Sequence, residues 1–127
     1  MASIWFTSAP LPGHLDWGGL LDTARELHAQ GHAVRWVSGA AVRELVTRAG
    51  VSFAAVAHTG WRWPPPPLPT PTTFVNEDMP TLRYRRALDT WLDPDLVAQG
   101  TQALLDLAVE QGAPDVIVTD PFLSAAA

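Results

Sequence analysis

The first 57 residues alternate between two periodicities, and few folds accept that alternation. Ile4-Trp5-Phe6 is a short apolar run of the kind a buried strand shows. Gly19 to Gln30 then sets Leu20, Leu21, Ala24, Leu27 and His28 at helical spacing, with Asp22, Arg25 and Glu26 on the other face. Gly31 supplies a C-terminal stop. His32 to Ser38 reads as a second strand, Val34 and Trp36 facing one way, Arg35 and Val37 the other. After Gly39, residues Ala40 to Ala49 predict a second helix, with Val42, Leu45, Val46 and Ala49 inward and Arg43, Glu44 and Arg48 outward. Gly50 ends it, and Val51 to Ala57 is a third strand. A β-α-β-α-β order with glycines near the changes predicts a parallel sheet covered by helices on both faces and joined by right-handed crossovers.

The middle of the chain is of another kind. His58 to Asn76 holds Trp61, Trp63 and six prolines, four of them consecutive from Pro64 to Pro67. Proline there excludes helix and central strand, so a long variable loop is expected within the domain. Thr81 to Leu92 predicts a helix opening at Pro80, with Tyr84, Ala87, Leu88 and Trp91 on one face. Asp93-Pro94 predicts a cap and first position for a longer helix carrying Leu96, Gly100, Ala103, Leu104, Leu107 and Ala108. Val116 to Thr119 is then a fourth strand, ending at Asp120-Pro121. A doubly wound α/β sheet of order 3-2-1-4 follows, and the single helical turn after its fourth strand suggests a fragment of a larger assembly.

Composition removes several classes of function. The net charge of -5 and the lack of any basic run speak against nucleic acid and anionic membrane surfaces. No cysteine is present, so disulfides, thiolate metal sites and cysteine nucleophiles are excluded. No apolar run is long enough for a transmembrane segment and no signal-like N-terminus is evident, so a cytoplasmic location is expected. Gly13 and Gly18 have P-loop spacing, but Gly19-Leu20 stands where Lys-Ser/Thr is needed. The first strand is not followed by the glycine fingerprint of a dinucleotide site. His28 and His32 are four apart with Gly31 between them and no third ligand in view, so no metal and no bound cofactor is expected.

Two residues remain that could do chemistry. His14, after the first strand, and Asp120, after the fourth, fall just past the ends of strands that neighbour each other in a 3-2-1-4 sheet. Ligands of such sheets bind outside the carboxyl ends of the strands. An imidazole can take a proton near neutral pH, and a carboxylate on its second nitrogen fixes the tautomer and stabilises the imidazolium. With no serine or cysteine nucleophile in a strained elbow, the pair would activate a substrate hydroxyl. The bland alternatives are a turn histidine in a glycine-rich loop and an aspartate serving as helix cap.

The stretch Pro10 to Val56 resembles the N-terminal domain of the UDP-glycosyltransferase-like superfamily, two-Rossmann-domain (GT-B) enzymes acting on natural products, lipids and other small acceptors. The likeness rests on Pro12-Gly13-His14, on Leu27 to Val34 (LHAQGHAV), on Val46 to Phe53 (VTRAGVSF) and on Asp115 to Phe122 (DVIVTDPF). It implies a Rossmann-like N-terminal, acceptor-binding domain over residues 1–127, with residues 58–76 as its variable loop. By the same likeness His14 is the general base on the acceptor hydroxyl of an inverting glycosyltransferase, and Asp120 its partner. Gly13, Trp17, Trp61 and Trp63 would lie against a small apolar acceptor, with packing of the loop onto its own domain as the alternative for the tryptophans. Trp5, Trp36 and Trp91 read as core.

Two departures stand beside the likeness. Asp16-Trp17-Gly18 replaces the Asn-Pro that many members carry after the histidine. The nucleotide-sugar donor would be bound mainly by a C-terminal domain or subunit whose motifs are not in this sequence. A non-catalytic binding or assembly module, inactive without a donor-binding partner, is therefore the rival reading. A hydrolase using His14 with Asp16, Asp120 being turned away, is a third.

Overall fold

A computed structural model describes residues 1–60, 93–123 and 126–127. The tryptophan- and proline-rich stretch from Trp61, including Trp63, and the helix expected over Thr81 to Leu92 with Trp91 lie outside the described residues.

Four strands, β1 (Ser3–Thr7), β2 (Ala33–Ser38), β3 (Ser52–Ala55) and β4 (Val116–Thr119), form one sheet in the order β3-β2-β1-β4. Every pairing is parallel, with Thr7 beside Val37 on one flank and Thr119 on the other. The helices among the described residues are α1 (Pro12–Leu15), α2 (Leu20–Ala29), α3 (Arg43–Arg48) and α4 (Pro94–Gln111), with 3-10 turns at Trp17–Gly19, Ala40–Val42 and Pro121–Leu123.

Strand alternation sorts the core into two layers. Ile4, Phe6, Val34 and Trp36 point to one face, where Leu15, Ala24, Val42 and Val46 close over them. The Phe6 and Trp36 rings stack there with centroids 5.6 Å apart. Trp5, Val37 and Ala54 point to the other face and meet Leu107, Leu104 and Ala108 of α4. Helices thus cover both faces, and Trp5 and Trp36 are core as expected.

Asp93 caps α4 as its position before Pro94 predicts: its carboxylate accepts from the Asp95 and Leu96 amides at 3.0 and 3.3 Å. Three expectations fail at the level of single residues. Leu45 is 41% exposed rather than inward, because the 3-10 entry at Ala40–Val42 shifts the phase and leaves Val42 and Val46 as the buried pair. His28 is exposed, so α2 buries a narrower stripe than its spacing suggested. The third strand is shorter than Val51 to Ala57, pairing only over Ser52–Ala55.

Candidate active site

The prolines and glycines after β1 (Pro10, Pro12, Gly13, Gly18, Gly19) read as a loop, yet from Pro12 onward the chain is largely helical. Pro12 sits in the first turn of α1, where its fixed φ is compatible and its missing N–H costs nothing. Buried Leu15 pins that turn to the core, and His14 lies just before it. Gly18 and Gly19 take φ of 63° and 74°, which lets the chain kink from the short turn into α2.

His14 and Asp120 come together. Nδ1 of His14 contacts Oδ2 of Asp120 across 106 positions of sequence. The Asp120 side chain is fully buried, while that of His14 is 16% exposed. With Asp120 as an accepting carboxylate, the contact fits the tautomer that carries its proton on Nδ1 and leaves the Nε2 lone pair open. Asp120 is not turned away, which was the condition for the His14–Asp16 alternative. Its backbone N–H donates to Thr7 O at 2.8 Å, continuing the β1–β4 ladder one step, and its carbonyl accepts from Leu123 N at 2.9 Å in the turn that follows. The carbonyl bond is the ordinary first bond of the turn, and the carboxylate, which the cap alternative would place on that turn, meets the histidine.

Trp17 stands edge-on to the His14 ring, centroids 5.2 Å apart, and is 48% exposed. It forms a wall beside the imidazole that is open to solvent. Gly13 lies in α1, and a side chain added there would meet nothing within 4 Å. Trp61 and Trp63 lie outside the described residues.

A polar group of residues behind the pair went unnoticed in the sequence. Ser8 and Ser38 are fully buried. The Trp36 indole N–H donates to Ser8 Oγ at 3.0 Å, Ser8 Oγ donates to Ala9 O at 3.0 Å, and Ser38 Oγ donates to Ser8 O at 2.7 Å. Ala9 N in turn donates to Asp120 Oδ2 at 3.4 Å. The available signal was only a position: Ser8 directly follows β1 and Ser38 is the last residue of β2. Small hydroxyls at such places have to satisfy the backbone that the ladder releases. Thr7 Oγ1 is buried with no hydrogen-bond partner among the described residues, beside a cavity of about 10 Å³ that Val37, Leu104 and Leu123 help to line. Among those residues no group of three metal-ligating side chains could hold an ion, and no helix is long and apolar enough to cross a membrane.

Neither a protein-family model nor a curated protein matches the chain. Solved structures do. The glycosyltransferase SsfS6 of Streptomyces sp. SF2575 matches with a TM-score of 0.67 and 20% identity, over 99% of this chain and 35% of its own. The calicheamicin glycosyltransferase CalG4 matches at 0.63 and 17%, over 99% and 28%. The glycosyltransferase of kitacinnamycin matches at 0.56 and 24%, over 98% and 26%. The chain shares the fold of part of these glycosyltransferases. The chain spans about a quarter to a third of the length of these glycosyltransferases. It matches them over nearly its whole length, so the His14–Asp120 pair lies inside the shared region.

Proposed function

We propose that this chain is the acceptor-binding half of an inverting glycosyltransferase, with His14 as catalytic base and Asp120 as its partner. The contact between His14 Nδ1 and the buried Asp120 carboxylate, at the carboxyl ends of adjacent parallel strands, carries the proposal. In the proposed step His14 Nε2 takes the proton of an acceptor hydroxyl. The hydroxyl oxygen forms its bond to the anomeric carbon of a nucleotide sugar from the side opposite the leaving group. The bond from that carbon to the nucleoside diphosphate breaks, the diphosphate leaves with the electron pair, and the configuration inverts. Asp120 holds the ring in the tautomer that keeps Nε2 available as base, and balances the charge of the imidazolium. In this reading Trp17 and Gly13 contact the acceptor, and Trp61 and Trp63, which lie outside the described residues, are assigned to it for the flat apolar area of their rings. The donor is held by a C-terminal domain or subunit. In a protein carrying that donor half, His14→Ala should lower turnover by about 10²–10⁴-fold while acceptor binding stays nearly unchanged. Unchanged turnover would refute the role given to His14.

One observation favours a second reading for the chain by itself. It spans only 26–35% of the matching glycosyltransferases, and the rival reading is a binding or assembly module that works with a donor-binding partner. Calorimetry with a nucleotide sugar tests both readings. No heat of binding is expected from this chain alone, and donor binding by it would contradict the division of labour.

A further inference from the structure

Resting on that reading of His14 and Asp120, we propose that Ser38 is a positioning residue for the pair, acting through the peptide that joins Ser8 to Ala9. One peptide group links the two sides. Its carbonyl, Ser8 O, accepts from Ser38 Oγ at 2.7 Å, and its N–H, on Ala9, donates to Asp120 Oδ2 at 3.4 Å. A hydroxyl donating to a carbonyl polarises the peptide and strengthens the N–H at its other end. Ser38 thereby pulls on the same carboxylate oxygen that meets His14 Nδ1.

The backbone ladder does not do this by itself. Pairing between β1 and β2 ends at Thr7 and Val37, and the next contact, Ser8 N to Val37 O, has lengthened to 3.4 Å. Past that point side chains take over. Trp36 Nε1 fixes Ser8 Oγ from below, and Ser8 Oγ in turn donates to Ala9 O, so the peptides on both sides of Ala9 are held. Tight packing completes the seat. A Cβ added to Gly39, the residue after Ser38, would come within 2.7 Å of Pro10 Cβ, so the exit of β2 lies directly on the exit of β1. Ser8, Trp36, Ser38 and Asp120 are all fully buried, and no solvent competes for these bonds.

The test is nuclear magnetic resonance on the ¹⁵N-labelled chain, independent of turnover. Ser38→Ala should speed exchange of the Ala9 amide proton by about tenfold or more and shift the His14 ring nitrogen signals. Val42→Ala, equally buried but among the aliphatic side chains beneath α3, is the control for general destabilisation. It should lower the unfolding midpoint and leave the His14 signals in place. Unmoved Ala9 and His14 signals in Ser38→Ala, or equal movement in Val42→Ala, would overturn the proposal while leaving the role of His14 standing. Should Ser38→Ala fail to fold, the unmutated chain decides: its Ser38 hydroxyl and Ala9 amide protons must both be protected from exchange, and rapid exchange of either sinks the idea.

Discussion

β1 and β4 are neighbours in one sheet and are built from similar residues, yet they live in different surroundings. Ile4, Trp5 and Phe6 of β1 are 6%, 2% and 1% exposed, whereas Val116 and Ile117 of β4 are 47% and 37% exposed. An all-parallel sheet normally buries both faces, so β4 is a strand of interior composition whose flank, among the described residues, is exposed. The contrast reverses at its tip, where Asp120 is fully buried. The carboxylate proposed for catalysis is therefore held by β1 and its hydroxyl-lined exit, not by the outer side of its own strand. Register explains where the open surface lies. Ile117 pairs with Trp5 and so faces α4, whose Leu105 and Val109 are also exposed. Right-handed crossovers would bring an element extending the sheet past β4 onto that same face.

The largest test of this contrast is Trp36→Ala. Trp36 is fully buried, stacks on Phe6 and donates to Ser8. Its loss should cost about 3–5 kcal/mol in urea unfolding, a cavity and an orphaned Ser8 hydroxyl together. Leu105→Ala on the open side should cost a small fraction of that. Equal losses would mean that the centre and the edge of the sheet are not energetically distinct.

Much of this was legible in the chain because strands and helices of a doubly wound sheet announce themselves by period. β-α-β-α-β and handedness set the first three strands in a row, the doubly wound pattern adds β4 beside β1, and the meeting of His14 with Asp120 follows from that order. What escaped depends on phase and on short polar contacts. The turn around His14 was hidden because Pro12 and Gly13 signal a loop equally well, and only the burial of Leu15 makes a helical turn favourable. Leu45 was misplaced because no periodicity shows that a 3-10 turn enters the helix. Ser8 and Ser38 are small residues at strand ends, and nothing local distinguishes a structural hydroxyl from a solvated one.

Intermediate in size is the cap that anchors α4, the helix touching both regions. Leu107 on its inner face is 6% exposed and Leu105, two residues earlier, is 55% exposed. Asp93 holds the first turn through the amides of Asp95 and Leu96. Asp93→Ala should lower stability by about 1 kcal/mol, read by thermal unfolding. Asn at the same position should recover most of it, since the amide oxygen accepts the same bonds. A full loss with Asn would assign the effect to the negative charge at the helix N-terminus instead.

The smallest expected effect is the most direct probe of the open flank. Val109 is 89% exposed, so a polar replacement removes almost no buried apolar area. Val109→Lys should change monomer stability by no more than about 0.5 kcal/mol. It should also lower any concentration-dependent self-association measured by sedimentation, because Leu105 and Val109, one turn apart on α4, and Ile117 of the edge strand are exposed apolar side chains, and charge opposes edge-to-edge contact. A stability loss comparable to that of Trp36→Ala would show that Val109 is covered, and the distinction between an enclosed centre and an open edge would fail. Unchanged stability with unchanged association would keep the distinction and leave β4's own backbone, not its apolar side chains, as the reactive part of the edge.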